Sequence, residues 1–556
     1  MHFYIYVMMF LSLIKPIGTD GIVVYDYGTA KVQESKNLNQ VLISQDIVGN
    51  IKDEQPIDFS DEAPKVEGIT TFRTNRYRNN AVYGQANIKE KAIQKIWSFN
   101  TSGGTGTPNP EYGPWGGGSG WTGQPCIIKW EPQVLKAMNV KEEFKQKKDF
   151  VEVVQGSLDG KVYFLDLETG KQTREPIATK NPIKGGISLD PRGWPILYVG
   201  QGIPETNTFG YHIYSLIDGK ELYYINGDDH WNYREWWFAF DSSPLVDPQT
   251  DTVLQAGENG NIYKIKLNTQ WNPEAGTLSM KPEMKKMRYK IKGNEFPGIE
   301  NSLVGYKNYV YFADNGGSIQ CMDANTMKIK WVWYGKTADD TNATMTLKEE
   351  YEEYQVAFKM PHSLSDKPIK VTVKRVTPYL YMGAEIDKQQ GKTDLCYFRK
   401  IDALTGKVVW ENGYKALYTV SGGPGWNGGH VNGGIYSANV LGEKNLDGMV
   451  FVAVARINQL YAGELIALDT KTGKELWKWN MHNYAWSSPT IVYDQKGDGY
   501  IMQGDSAGRM WVVDGKTGKP LTNIKLGNNL EASPAIYGDY MVVGSRGTEI
   551  HGVKIK

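Results

Sequence analysis

ALDTKTGKELW, residues Ala467 to Trp477, is the stretch whose reading decides the fold. Alternating apolar residues lead into Asp469, which marks a period-2 strand. Asp469 and Thr472 can hold a tight turn by hydrogen-bonding nearby backbone amides, and Gly473 supplies a positive φ. The chain then returns as a second strand carrying Trp477, an indole large enough to fill a gap between neighbouring sheets if its N–H finds an acceptor. The unit is a hairpin with a chemically specified tip.

The hairpin recurs. FLDLETGK (Phe164 to Lys171), CMDANTMKIKW (Cys321 to Trp331), IDALTGKVVW (Ile401 to Trp410) and VVDGKTGKPL (Val512 to Leu521) keep a Thr three residues after Asp166, Asp323, Asp402 and Asp514. A Trp follows the Asp by eight residues at Trp331, Trp410 and Trp477, and Met327 replaces the turn glycine in one copy. A glycine lies six residues before the Asp at Gly160, Gly317, Gly463 and Gly508. Upstream, short Ser-Pro or Pro signals introduce an apolar run. They occur in Asp241 to Asp247 (around SPLVD), in WSSPTIVYD (Trp486 to Asp494), in EASPAIYGD (Glu531 to Asp539) and, more weakly, in TGQPCIIKW (Thr122 to Trp130). Proline is tolerated at a strand's first residue, which need not donate to the ladder. Pro489 and Pro534 are 45 residues apart, as are Asp469 and Asp514, the span of one four-stranded blade.

Third strands are counted at Asp166, Ser215, Lys264, Asp323, Asp402, Asp469, Asp514 and the terminal EIHGVKIK. The chain ends without a fourth strand for the last blade, and KAIQKIWSF (Lys91 to Phe99), with Trp97, is the candidate to supply it. The reading is an all-β, eight-bladed propeller closed by an N-terminal strand, a closure that removes the exposed sheet edge. A length of 556 residues exceeds a single core, but each blade needs only its neighbours for burial. The 61 glycines and 17 tryptophans suit many short strands and tight turns.

Lys+Arg and Asp+Glu both number 62, and no long basic run occurs, which argues against a nucleic-acid partner. Cys126, Cys321 and Cys396 are far apart with no CxxC pair, which argues against structural zinc. Phe3 to Ile14 is an apolar run too short for a bilayer and of the length of a signal-peptide core, so residues 1–20 read as a signal peptide, 21–87 as an N-terminal arm and 88–556 as the propeller. No Lys or Arg precedes that run, and no cysteine follows it closely enough for a lipid anchor. No transmembrane anchor is expected, and the expected state is a monomer. An insertion near 337–377, including the acidic KEEYEEYQ run (Lys348 to Gln355), breaks the repeat and reads as a solvated excursion.

The phased GxLxALDxxTGKxxW repeat with Ser-Pro-headed strands resembles the PQQ-like, or quinoprotein alcohol dehydrogenase-like, β-propeller superfamily over roughly residues 70 to 556. TTFRTNRYRNNAVYG (Thr70 to Gly84) is similar to the FRGN-type sequence that precedes the first blade in that superfamily. The resemblance is nearest to the PQQ-binding-like repeat proteins of Gram-positive anaerobes. It implies tryptophan-docked blades, but not a bound quinone. Quinoprotein alcohol dehydrogenases also carry an adjacent cysteine pair, calcium-binding carboxylates and a catalytic Asp, and no two cysteines are adjacent here. The outer-membrane assembly propeller is a shorter lipoprotein, whose lipid-bearing Cys is missing here.

The stretch from Asn226 to Pro244, which opens with NGDDHWNYREWWFAF, is the most aromatic in the chain. Its Trp231, Tyr233, Trp236 and Trp237 are candidates for a stacking platform for sugars or aromatic ligands. An equally economical reading packs this loop between blades 2 and 3. Two Gly-rich stretches, Gly103 to Gly123 and Ser421 to Gly434, embed Trp115, Trp121, Trp426 and His430, lack the Lys-Ser/Thr of a phosphate loop, and read as long loops on a propeller face. DQKGDG (Asp494 to Gly499) and ADNGG (Ala313 to Gly317) lack the spacing of a calcium loop and read as hairpin turns. With no catalytic residue or metal site identified, the expected function is a non-catalytic, secreted or surface-exposed scaffold binding a protein or saccharide. The alternatives are a PQQ- and calcium-dependent dehydrogenase with a diverged site and an envelope assembly scaffold.

Overall fold

The computed structural model describes residues 22–26, 31–59, 66–101, 108–109, 113–114, 118–119, 123–204, 208–235, 237–335, 340–358, 369–386, 395–419 and 431–556. Among these, the strands form eight antiparallel sheets with a four-stranded core, arranged as an eight-bladed β-propeller. Blades 1 to 7 span 126–178, 188–226, 245–291, 304–333, 346–415, 440–481 and 490–525. Blade 8 takes three strands from 535–555 and its outermost strand from Ile93–Asn100, so Trp97 completes the final sheet as the sequence predicts.

The turn chemistry is as the repeat requires. In blade 6, Thr472 donates both its backbone N–H and its hydroxyl to Asp469 Oδ1 (2.7 Å each). The Asp166, Asp323, Asp402 and Asp514 turns repeat the backbone bond. Gly406 has φ +71°, and a Cβ there would lie 2.6 Å from Trp331 Cε3 of the preceding blade, so glycine is required for conformation and for close approach. In blade 3 the counterpart of the turn Asp is Lys266, two residues after the Lys264 counted from the sequence. Leu267 N–H bonds Asp251 O there, as the residue after each turn Asp does elsewhere.

Burial falls into eight hydrophobic clusters, one between each pair of adjacent blades, such as Phe451, Ala467, Ile491, Ile501 and Val513 between blades 6 and 7. This is the expected energetics of a ring whose blades each bury two faces against neighbours.

Two additions depart from the repeat. The arm adds Leu42–Gly49 to the outer edge of blade 3. The first two strands of blade 5 lengthen into a hairpin, Thr346–Phe358 with Ile369–Gly383, along which Ile22–Asp26 pairs in parallel. The acidic run lies in this hairpin and is only partly solvated, since Glu350 accepts from buried Lys400 (2.7 Å) and Glu353 pairs with Lys374 (2.5 Å).

Candidate functional site

The axis of the ring is filled by the arm. Gly68–Ile69 pairs with the inner strand of blade 1, and Val82–Tyr83 with that of blade 8. Between them the chain crosses the axis with Arg73, Thr74 and Arg78 at φ between 56° and 68°. Arg78 donates to Leu303 O (3.0 Å) and Pro244 O (2.9 Å), and Arg73 to Asn439 O (2.9 Å) and Pro489 O (2.8 Å). These four carbonyls occupy equivalent positions at the heads of the inner strands of blades 3, 4, 6 and 7. Both guanidiniums are fully buried, and burial lowers their pKa to about 9, which leaves them charged near neutrality. Backbone bonds tie the same segment to blades 2, 4, 5 and 8 through Leu189, Gly305, Leu347 and Ile536.

Beside this plug, a narrow cavity lined by Phe72 of the arm and by Glu300, Asn342, Tyr436 and Ser488 of blades 4 to 7 leads to a buried charged cluster. Oxygens of Asp241, Glu258 and Glu300 lie within 4.8 Å of one another. Lys184 Nζ sits among them, 2.5 Å from Asp241 Oδ2, 3.6 Å from Glu258 Oε1 and 4.0 Å from Glu300 Oε2. Arg234 Nη1 reaches Glu258 Oε2 at 3.3 Å, and Asn315 Nδ2 donates to Glu300 Oε1 at 3.2 Å. Lys184, Asp241 and Glu300 come from the connections between blades 1 and 2, 2 and 3, and 3 and 4, and Glu258 from a turn inside blade 3, so the cluster ties three blades together near the axis.

Burial raises the pKa of all three carboxyls. Glu300 is pushed up to about 8 by burial and by the neighbouring Glu258 charge. For Lys184, burial opposes the charge, but the attraction of Asp241, Glu300 and Glu258 outweighs it and keeps the ammonium charged. Three carboxyls facing two cationic groups leave one negative charge, and a proton on Glu300 neutralises it at pH 7.

The sequence reading missed this cluster, although a signal was present. Asp241, Trp486 and Glu531 each stand three residues before the proline of a Ser-Pro strand head, and Glu300 takes the same place in ENSL. In a sequence those heads announce a strand, while their first residue is the one placed towards the axis. Glu531 pairs there with buried Arg546 (3.6 Å), and Arg456 lies over the Tyr484 and Trp486 rings.

Of the aromatic candidates, Trp231 and Tyr233 flank Arg288, whose guanidinium carbon is 4.5 Å and 4.3 Å from their ring centres. Tyr233 also bonds Asp46 and Ser44 of the added strand, so both rings are engaged in packing the arm onto blade 3. Trp237 is half-buried with Lys184 Nζ 5.8 Å from its ring, beside the charged cluster. Trp115, Trp121, Trp236, Trp426 and His430 lie outside the described residues, as does the apolar N-terminus. The described ends of the Gly-rich stretches are anchored: Ser119 N–H bonds Ser545 O, and Gly434 pairs with Ala455 and Glu385. The three cysteines are buried and form no disulfide, and burial pushes Cys126 and Cys396 up to about 12, which removes thiolate chemistry.

A quinone with calcium is the group the fold raises, and the described residues do not fit it. The carboxylates that would ligate calcium already surround Lys184 Nζ, and the cavity against Phe72 is too narrow for a fused-ring cofactor. No helix among the described residues is long and apolar enough to cross a membrane.

A family model described as outer membrane protein assembly factor BamB matches residues 397–556. No curated protein matches the sequence. Among solved structures, the quinohemoprotein alcohol dehydrogenase from Comamonas testosteroni is similar at 13% identity and TM-score 0.53, covering 88% of this chain and 80% of that one. The quinohemoprotein alcohol dehydrogenase ADHIIG from Pseudomonas putida HK5 gives 12% identity and TM-score 0.53, covering 90% and 83%. BamB from Moraxella catarrhalis gives 11% identity and TM-score 0.45, covering 84% and 98%. Over the whole chain the likeness is one of fold, an eight-bladed β-propeller.

Proposed function

We propose that this chain is an exported, non-catalytic scaffold that receives a protein partner on the propeller face carrying the connections between blades. The observation that carries this reading is the filled axis. Arg73, Arg78 and Phe72 occupy the channel, and Lys184 occupies the acid cluster, so the ring is closed along its axis by its own side chains. Both Gly-rich, Trp-bearing stretches are anchored to turns at this face, where propeller loops ordinarily carry recognition. The match of residues 397–556 to an assembly-factor model supports a protein over a saccharide as the partner. Export rests on the apolar run from Phe3 to Ile14.

The test is affinity capture on the full chain followed by cross-link mapping. Cross-links concentrated at 226–240, 118–123 and 431–434 are expected. Dye-linked alcohol or sugar oxidation after adding quinone and calcium, with no partner retained, would overturn the scaffold reading in favour of a dehydrogenase. Retention on a glycan array alone would replace the protein partner with a saccharide.

A further inference from the structure

We propose that Lys184 is a built-in cation: its ammonium stands where the Asp241–Glu258–Glu300 tripod would hold a divalent metal, and removing it creates a calcium-class site. The donor set is all oxygen and carries high negative charge, the chemistry that selects hard cations. Such ions sit about 2.3–2.6 Å from each oxygen, so oxygens sharing one lie within about 5 Å of each other. The 4.8 Å span of the three carboxylate oxygens meets that condition.

The ammonium fills the place imperfectly. It lies close to one oxygen and progressively farther from the other two, because a tethered lysine approaches only from the connection between blades 1 and 2. Asp241 Oδ1, Glu258 Oε1, Glu300 Oε2 and Asn315 Oδ1 receive no hydrogen bond from an N–H donor, although all four residues are buried. A spherical dication could use these oxygens from several directions, whereas an ammonium has three directed donors. The charge balance points the same way. Without Lys184, three carboxylates face only Arg234, and the two uncompensated negative charges equal the charge of one dication. In the native chain the Lys184 ammonium already stands among these oxygens, so calcium would have to displace a tethered cation and gains little by doing so. The proposal is independent of which partner the face binds.

The experiment titrates the full native chain, Lys184→Ala, Lys184→Met and Lys184→Ala/Glu300→Gln with calcium and with terbium. Thermal midpoint and terbium emission are followed, the latter sensitised by Trp237 beside the cluster. Native protein is expected to show neither a calcium-dependent rise in Tm nor terbium emission. Both lysine variants are expected to be destabilised in chelator, to regain Tm with calcium, and to bind one ion at least 100-fold more tightly than the native chain. The double variant is expected to lose that gain. Equal calcium affinity in native and variant chains, or lysine variants that fold without binding calcium, would overturn the proposal. So would variants that fold neither in chelator nor in calcium, whereas folding only with calcium supports it.

Discussion

Two kinds of joint hold neighbouring blades together, and they share one acceptor. At the 8/1, 4/5, 5/6 and 6/7 joints an indole N–H donates to the carbonyl just after the turn Asp: Trp97 to Leu167, Trp331 to Ala403, Trp410 to Thr470 and Trp477 to Gly515, at 2.9–3.1 Å. At the 1/2 and 3/4 joints the same carbonyl, Leu216 or Ala324, receives Arg174 or Lys264 instead, both at 2.9 Å. Six joints thus place a donor at one fixed point, supplied by a neutral side chain, by a charged one or, at Thr470 O, by both Trp410 and Lys400. The difference lies in the obligations that follow. The indole buries apolar area and demands only a glycine beneath it. The cations must also be neutralised, Arg174 by buried Glu152 and Lys264 by Glu54.

The largest effects should come from breaking each kind of joint at its own weak point. Trp331→Ala removes a buried indole at the 4/5 joint and is expected to cost about 3–5 kcal/mol in denaturant unfolding. Arg174→Met should cost a similar amount, roughly 3–5 kcal/mol, by leaving the Glu152 carboxylate buried without its cation. The comparison sharpens in the double variant: adding Glu152→Gln should restore most of that loss, whereas no second substitution of a polar partner rescues Trp331→Ala.

Smaller, pH-dependent effects separate the closing blade from the charged cluster. Burial, with the Lys95 charge, pushes His551 down to about 4, below its usual value near 6.5. The unfolded chain thus takes up a proton that the folded chain refuses, and stability should fall as pH drops from about 6.5 to 4, by about 3 kcal/mol in all. His551→Gln should flatten this slope. Glu300, raised to about 8, has the opposite sign. Its folded form holds a proton that the unfolded chain has released, so stability should fall as pH rises from about 4.5 to 8, and Glu300→Gln should remove that decline. Smallest is Thr472→Ala at an exposed turn tip, expected to cost about 0.5–1.5 kcal/mol.

The contrast also explains what was legible in the sequence. Of the four indole joints, three are built from Trp331, Trp410 and Trp477, each eight residues after an Asp, a spacing visible without a structure, and Trp97 is legible as part of the strand that the last blade lacks. The Arg174 and Lys264 joints were invisible, because lysine and arginine are common surface residues and nothing local marks these two as buried. The same holds for the axis. Thr70 to Gly84 stands out as a segment, yet the partners of Arg73 and Arg78 are backbone carbonyls hundreds of residues away, which no side-chain pattern announces. Lys264 lies in the third strand of blade 3 as counted, two residues before the turn position, because that blade lacks the Asp-Thr tip that sets the phase elsewhere. Among the described aromatic candidates, only Trp237 lies beside the charged cluster, since the loop uses Trp231 and Tyr233 to clamp Arg288.

Closure of the ring by both ends of the chain sets an order of events during synthesis. The hydrogen bond between Ser98 and His551 joins residues 453 positions apart, so the outer strand of blade 8 is made long before the rest of its sheet. The entropy of closing so long a loop rises only with the logarithm of its length, about 0.6 kcal/mol per doubling, so the delay is one of time more than of energy. Throughout that delay the strand from Ile93 to Asn100 lacks its ladder partner, although Trp97 can already dock on blade 1. A nascent or truncated chain lacking the last seven-residue strand is thereby left with an open, adhesive seam, the form of this protein most exposed to proteases and to self-association.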